Sequence, residues 1–304
     1  MRGMYTAGVL DILMENNIEI DGIVGVSAGA LFGANYFSKQ KGRVIRYTKR
    51  FCRDFRFMSM LSLIFTGNVV NKNFAYYKVT KKLDVFDNET FFKSKKDYYV
   101  VTTDIETGKP EYIKVEDCLL QMEALRASSA MPLASKFVTI DEKKYLDGGI
   151  SDSIPVDKCK ELGYDKVIVV LTRPLDYRKK PLSEKTIKVL NKKFKKYPKL
   201  VDAMIIRYQK YNETVEKIID MENKKEIFVI RPSEKIDIKV IERNRNNLQK
   251  VYDLGVKDCK SQMSKLKKYL SWFVLKYFFV NDKKTKNFTI FFIYNIIIID
   301  RVVC

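Results

Sequence analysis

Gly25-Val26-Ser27-Ala28-Gly29 sets a serine hydroxyl between small residues, in a chain whose 304 positions contain no histidine. A serine nucleophile must hand its proton to a base, and without imidazole that base is a carboxylate, a lysine or water. The pentapeptide follows an apolar run, Ile20 to Val26, and precedes a helix-like one, Ala30 to Phe37. That is the strand-turn-helix setting of a nucleophile elbow. Gly25 and Gly29 let strand and helix approach closely, and a helix starting near Ala28 points its partial positive end at the Ser27 hydroxyl. The plainer alternative is a glycine-rich turn with a helix-capping serine. A candidate base is Asp147, in Leu146-Asp147-Gly148-Gly149 after a short strand. Partial burial would raise its basicity toward a hydroxyl; its plainer alternative is a turn residue.

The elements that must position these residues follow from apolar spacing. Helical periodicity predicts a helix over 4–16, then a buried strand at Gly22 to Val26 and a helix over 28–38. A strand at Tyr98 to Thr103 turns through 106–110 into a second at Glu111 to Val115. A helix over 118–127 follows, then short strands at Phe137 to Ile140 and Lys144 to Leu146 around an Asp141-Glu142 turn. The pattern continues with a helix over 155–162 and an apolar strand from Lys166 to Leu171. Strands alternating with helices, several apolar on both faces, predict an α/β fold with a mostly parallel sheet covered on both sides. Beyond Lys179 long helices at 183–197, 199–221 and 240–270 surround one further strand, Ile227 to Ile230.

Taken together, Gly-Val-Ser-Ala-Gly on an early strand, Asp-Gly-Gly some 120 residues later and the missing histidine resemble the patatin-like phospholipases, particularly their bacterial members. Arg2-Gly3 with Tyr5-Thr6-Ala7-Gly8-Val9-Leu10-Asp11 looks like the end of that family's glycine-rich oxyanion loop and its first helix. Thr103-Asp104-Ile105-Glu106-Thr107-Gly108, Arg126-Ala127-Ser128-Ser129-Ala130-Met131-Pro132 and Tyr145-Leu146-Asp147-Gly148-Gly149 leading to Pro155-Val156 look like further family segments. The resemblance covers roughly residues 1–175, and more loosely reaches about 270. It implies a three-layer α/β/α patatin-like fold, a Ser27 nucleophile, an Asp147 general base and an acyl-enzyme route to fatty acid release. The Ala28 amide, and by the same match Gly3, would hold the oxyanion, with Arg2, Gly25, Gly29, Gly148 and Gly149 supporting the motifs. No cofactor or metal is implied. In the family, a run of glycines precedes the Arg-Gly pair, whereas here Met1 does. We therefore expect a natural start further upstream, the alternative being an impaired form that binds lipid or a partner; one lost oxyanion donor costs about 10²–10³ in rate.

The expected division is a catalytic core over 1–175, a helical continuation with one strand over 176–270, and an atypical apolar and basic tail over 271–304. The apolar stretch Phe288 to Ile299 is too short for a bilayer span, which needs roughly 20 residues, and is read as a locally packing tail. Lys and Arg outnumber Asp and Glu by 57 to 37, a formal +20, so the chain should be drawn to polyanions. Arg46, Lys49, Arg50 and Arg53 share one helical face and Val44, Tyr47, Phe51 and Phe55 another, which suits either an anionic lipid surface or a core-packed helix with a solvated face. Lipid esters and a peripheral anionic membrane surface are the expected partners. A nucleic-acid role rests on charge alone, since zinc-finger, RNP and helix-turn-helix patterns are missing, and is not expected. Cys52, Cys118, Cys159, Cys259 and Cys304 are odd in number and lack metal-ligand spacing, which points to a reducing cytoplasmic setting, with a peripheral place at the inner membrane face.

Overall fold

A computed structural model describes residues 1–278 and 295–299. Among them eight strands form one sheet: β1 (Gly22–Val26), β2 (Asp97–Asp104), β3 (Pro110–Lys114), β4 (Val138–Ile140), β5 (Lys143–Asp147), β6 (Lys166–Val170), β7 (Ile227–Ile230) and β8 (Asn295–Ile299). Their order is β4-β5-β2-β1-β8-β6-β7, with β3 also paired to β2. From β2 to β7 every pairing is parallel, while β3, β5 and β4 join antiparallel at one side. The central place between β1 and β6 is thus held by a strand from the far end of the chain. Its run of isoleucines favours extended backbone. Residues 288–294 of the expected apolar tail, and Cys304, lie outside the described residues.

The helices, in chain order, are α1 (Met4–Glu15), α2 (Ala28–Phe37), α3 (Arg43–Phe51), α4 (Met60–Thr66), α5 (Asn88–Ser94), α6 (Met122–Ser128), α7 (Val156–Glu161), α8 (Glu184–Lys193), α9 (Pro198–Asn223) and α10 (Arg245–Phe278). Period-2 alternation sorts the strand residues into two layers. Ile23, Tyr98, Val100, Ile168, Val170 and Ile230 pack with residues of α1, α2 and α10. Val24, Val26, Val101, Val167, Val169, Ile227 and Val229 pack with Val156 and Cys159 of α7 and Tyr211, Val215, Ile218 and Met221 of α9. The strands are therefore buried on both faces, which is why they read as continuous apolar runs. This is the α/β/α architecture with a mostly parallel sheet that the sequence predicts, and α9, β7 and α10 are built onto the same sheet.

Two expectations need correction. The helix predicted from residue 118 begins at Met122, because the Asp117 carboxylate accepts the Leu119 and Leu120 N–H groups at 2.9 Å and holds a local turn instead. The basic face proposed over Arg46 to Arg53 is partly engaged inside the protein. Arg46 pairs with the buried Asp84 at 2.8 Å, Lys49 donates to Gln249 at 2.7 Å, and Arg53 and Phe55 lie past the end of α3.

The segment from α4 to α5 carries a π-helical stretch, Lys72–Leu83, capped by the Asn71 side chain. Glu123 on α6 clamps it, accepting from Tyr77 Oη at 2.6 Å and Arg126 Nε at 2.9 Å, and pairing with Lys72 at 3.0 Å. Burial pushes the Glu123 carboxyl up, but the bonds from Arg126, Tyr77 and Lys72 outweigh it and carry it down to about 2 from 4.5. A carboxylate depressed on folding stabilises the fold above its unfolded value and loses that contribution as pH falls through the folded one. The clamp should therefore weaken between about pH 4.5 and about pH 2. Glu123→Gln is expected to flatten the acid dependence of the urea midpoint across that window; an unchanged slope would remove Glu123 as the clamp.

Candidate active site

β2 is the template that brings the candidate residues together. At Thr102 and Thr103 it pairs with both β3 and β5, so these lie on opposite edges. At Tyr99 to Val101 it pairs with both β3 and β1, so β1 lies opposite β3 as well. β1 and β5 therefore share one edge of β2 and meet end to end. Val26 pairs with Val101 and Asp147 with Thr102. Ser27 follows at once after Val26, and the two carboxyl-terminal strand ends deliver a hydroxyl and a carboxylate to the same spot. Ser27 Oγ donates to Asp147 Oδ2 at 2.7 Å, and both residues are buried.

Each partner is held from behind. Ser27 has φ 56° and ψ −120°, a conformation costing a non-glycine residue about 1–3 kcal/mol. Its N–H donates to Ser128 Oγ at 3.0 Å, and its carbonyl accepts the Leu31 N–H at 3.3 Å. Gly25 permits the elbow, because a Cβ there would stand 2.7 Å from Ala30 Cα and 2.9 Å from the Gly29 carbonyl carbon. Asp147 Oδ1 accepts the Gly149 N–H at 2.9 Å, which orients the carboxylate and leaves Oδ2 toward the serine. The Asp147 N–H donates to Ala130 O at 2.9 Å, and its carbonyl accepts from Thr103 Oγ1 at 2.9 Å. A side chain at Gly148 would meet the Val101 carbonyl oxygen at 2.1 Å, so this position admits no Cβ while β5 stays against β2.

Among the remaining candidates, Ala28 opens α2 and sits beside Ser27. Its N–H precedes the first intrahelical bond and belongs to the unpaired first turn. Gly3 caps α1, its carbonyl accepting the Ala7 N–H at 2.9 Å, and Arg2 O accepts the Tyr5 N–H at 3.0 Å. Neither lines the cavity at Ser27, although Met1 does. Ser128 is the residue that sequence reasoning did not single out. It lies within the Arg126 to Pro132 segment, but its partner is a backbone N–H 101 positions away, so no local pattern marks it.

Ser27 and Ala28 border a cavity of about 170 Å³ with mostly apolar walls, among them Leu31, Phe57, Val79, Phe86, Met122 and Leu125. Tyr76 is one of its few polar groups, hydrogen-bonded to Ser129 at 2.9 Å, and burial pushes its phenol up. Arg43, also on the wall, has its donors taken up internally by the Asp84 carbonyl at 2.6 Å and Asn35 Oδ1 at 3.0 Å, and lies 3.3 Å from the Asp84 carboxylate that it shares with Arg46. Among the described residues no group of three His, Cys, Asp or Glu could hold a metal ion, and no helix is long and apolar enough to cross a membrane.

Residues 1–159, just over half of the chain, match the patatin-like phospholipase family. The chain belongs to that family. Residues 197–271, from the start of α9 into α10, match a second family described only as a domain of unknown function. Among similar proteins, the uncharacterized protein YjjU of Escherichia coli is 29% identical over 177 residues, 57% of this chain and 49% of its own length. Lysophospholipase nte1 of Aspergillus fumigatus is 27% identical over 184 residues, 58% of this chain and 11% of its own, and nte1 of Neosartorya fischeri matches to the same extent. The chain thus spans about half the length of the bacterial relative and a small fraction of the fungal ones.

Gly148→Ala is expected to cost about 1–3 kcal/mol in urea denaturation, as overpacking at a close contact does, because it must push β5 off the Val101 carbonyl. Wild-type stability in that variant would contradict the close approach.

Proposed function

We propose that this chain is a lipid acyl-ester hydrolase, with Ser27 as nucleophile and Asp147 as general base. The observation that carries the reading is the 2.7 Å hydrogen bond from Ser27 Oγ to Asp147 Oδ2, made beside an apolar cavity. Ser27 Oγ attacks the ester carbonyl while its proton passes to Asp147 Oδ2. The oxyanion forms at the amino end of α2, where the Ala28 N–H and the helix dipole favour negative charge. Collapse expels the alcohol, which takes the proton from Asp147, and leaves an acyl group on Ser27. Asp147 then deprotonates a water, and attack on the acyl-enzyme frees the fatty acid and restores the hydroxyl.

The Gly149 N–H on Oδ1 keeps the carboxylate facing the serine through both proton transfers. Ser128 acts as a positioning residue, holding the strained Ser27 backbone. The cavity walls are mostly apolar, which suits an acyl chain, and single-chain lipids are the substrates we propose; the name lysophospholipase carried by the fungal relatives accords with this. The four described cysteines are free and buried, consistent with a reducing, cytoplasmic setting.

In release of fatty acid from a lysophospholipid, Ser27→Ala and Asp147→Asn should each lower kcat by about 10³ or more. Undiminished release in either variant would remove that residue from the dyad.

A further inference from the structure

α4 is amphipathic in the wrong sense for a helix that only packs onto a core. Its seven residues, Met-Leu-Ser-Leu-Ile-Phe-Thr, carry no charge. The side chain it buries is Ser62, while Ile64 is 72% and Phe65 80% exposed, with Met60 and Leu61 about half exposed beside them. The polar interior is satisfied locally: Ser59 Oγ accepts the Ser62 N–H at 2.9 Å, and Ser62 Oγ donates to Asn68 O at 2.8 Å.

The helix is a knob on a fixed stem. Met58 and Val70 bridge antiparallel at its base, Ser59 N–H donates to Val69 O at 3.0 Å, and Val69 N–H donates to Ala134 O at 2.8 Å. Phe57, Met58 and Val70 at that base also line the cavity beside Ser27. The sequence on either side of α4 is basic. From Arg50 to Lys72 there are four basic residues against Asp54 alone. Arg50 and Arg53 are exposed and, among the described residues, bond only backbone carbonyls, of Leu83 and Arg243, while the exposed Arg56 pairs with Asp54 at 2.7 Å; the exposed Lys136 packs its stem against Gly67 at the end of α4.

We infer that α4 docks this protein onto an anionic phospholipid bilayer, seating Met60, Leu61, Ile64 and Phe65 at the boundary of headgroups and acyl chains. An uncharged apolar tip on a chain of formal charge +20, preceded in sequence by exposed arginines and with Lys136 against its end, complements such a surface on both counts: the tip enters the apolar layer and the basic groups meet the phosphates. The cavity at Ser27 then lies next to the bilayer, so an acyl chain reaches it without crossing water. The choice of a bilayer rests on the lipid hydrolase reading, but the contact itself requires nothing of Ser27.

The test is co-sedimentation of the full chain with vesicles of phosphatidylglycerol and phosphatidylcholine, run beside turnover of a water-soluble short-chain ester. Wild type and Ser27→Ala should bind alike, and binding should fall with salt. Ile64→Asp with Phe65→Asp should weaken binding about tenfold or more, while soluble-ester turnover stays within about twofold of wild type. Vesicle binding by this double variant equal to wild type overturns the docking, as does a wild type that ignores both anionic and neutral vesicles. A wild-type dimer that the double variant turns into a monomer assigns the face to a second copy and also overturns it. Ester turnover surviving in Ser27→Ala would instead sink the hydrolase reading while the vesicle result still decides the docking.

Discussion

A serine held in a conformation that its backbone disfavours, with its hydroxyl on a buried carboxylate, is the arrangement around which the rest of this molecule is organised. Neither residue could hold its place alone. Ser27 at φ 56° needs the Ser128 hydroxyl on its N–H and the first turn of α2 on its carbonyl. Asp147 needs the Gly149 amide on one oxygen and the serine on the other. The parallel strand β1 and the antiparallel strand β5 end against consecutive residues of β2, and this change of partner along one edge makes the meeting possible. Open α/β sheets present ligands at the carboxyl ends of their strands, and here two such ends converge.

That convergence limits what the surrounding sequence can be. Gly25 and Gly148 stand where backbone from a neighbouring element leaves no room for Cβ, so both motifs owe their glycines to close packing as much as to chemistry. The sheet is buried by α1, α2 and α10 on one face and α7 and α9 on the other, which fixes the strand ends against relative movement. On the far side of Ser27 the packing is deliberately incomplete: apolar walls from α2, the π-helical stretch and α6 enclose a cavity. Rigid support behind the hydroxyl and apolar space in front of it are the two conditions that an acyl-transfer site asks of its fold.

Much of this was legible from residue types. β1 and β7 lie where their β-branched apolar runs predict, at Gly22–Val26 and Ile227–Ile230. The missing imidazole left a carboxylate, a lysine or water open as the base; it is the resemblance to the patatin-like phospholipases that pairs Ser27 with Asp147, whose contact spans 120 positions. The failures have physical causes. α4 escaped notice because it turns a serine inward and its apolar residues outward, against the usual helical pattern. The stretch Lys72–Leu83 repeats with i→i+5 spacing, which a 3.6-residue period does not detect. Ser128 acts on a distant backbone amide and leaves no local signature, while the isoleucine run of β8 marks extended backbone but not its place between β1 and β6.

The most direct measurement of the central claim is covalent labelling with a fluorophosphonate, with the modified peptide located by mass spectrometry. A hydroxyl activated by the neighbouring carboxylate predicts one adduct, on Ser27, formed far more slowly once Asp147 is replaced by asparagine. An unmodified Ser27 in the folded wild type, or labelling at the same rate without the carboxylate, would contradict it.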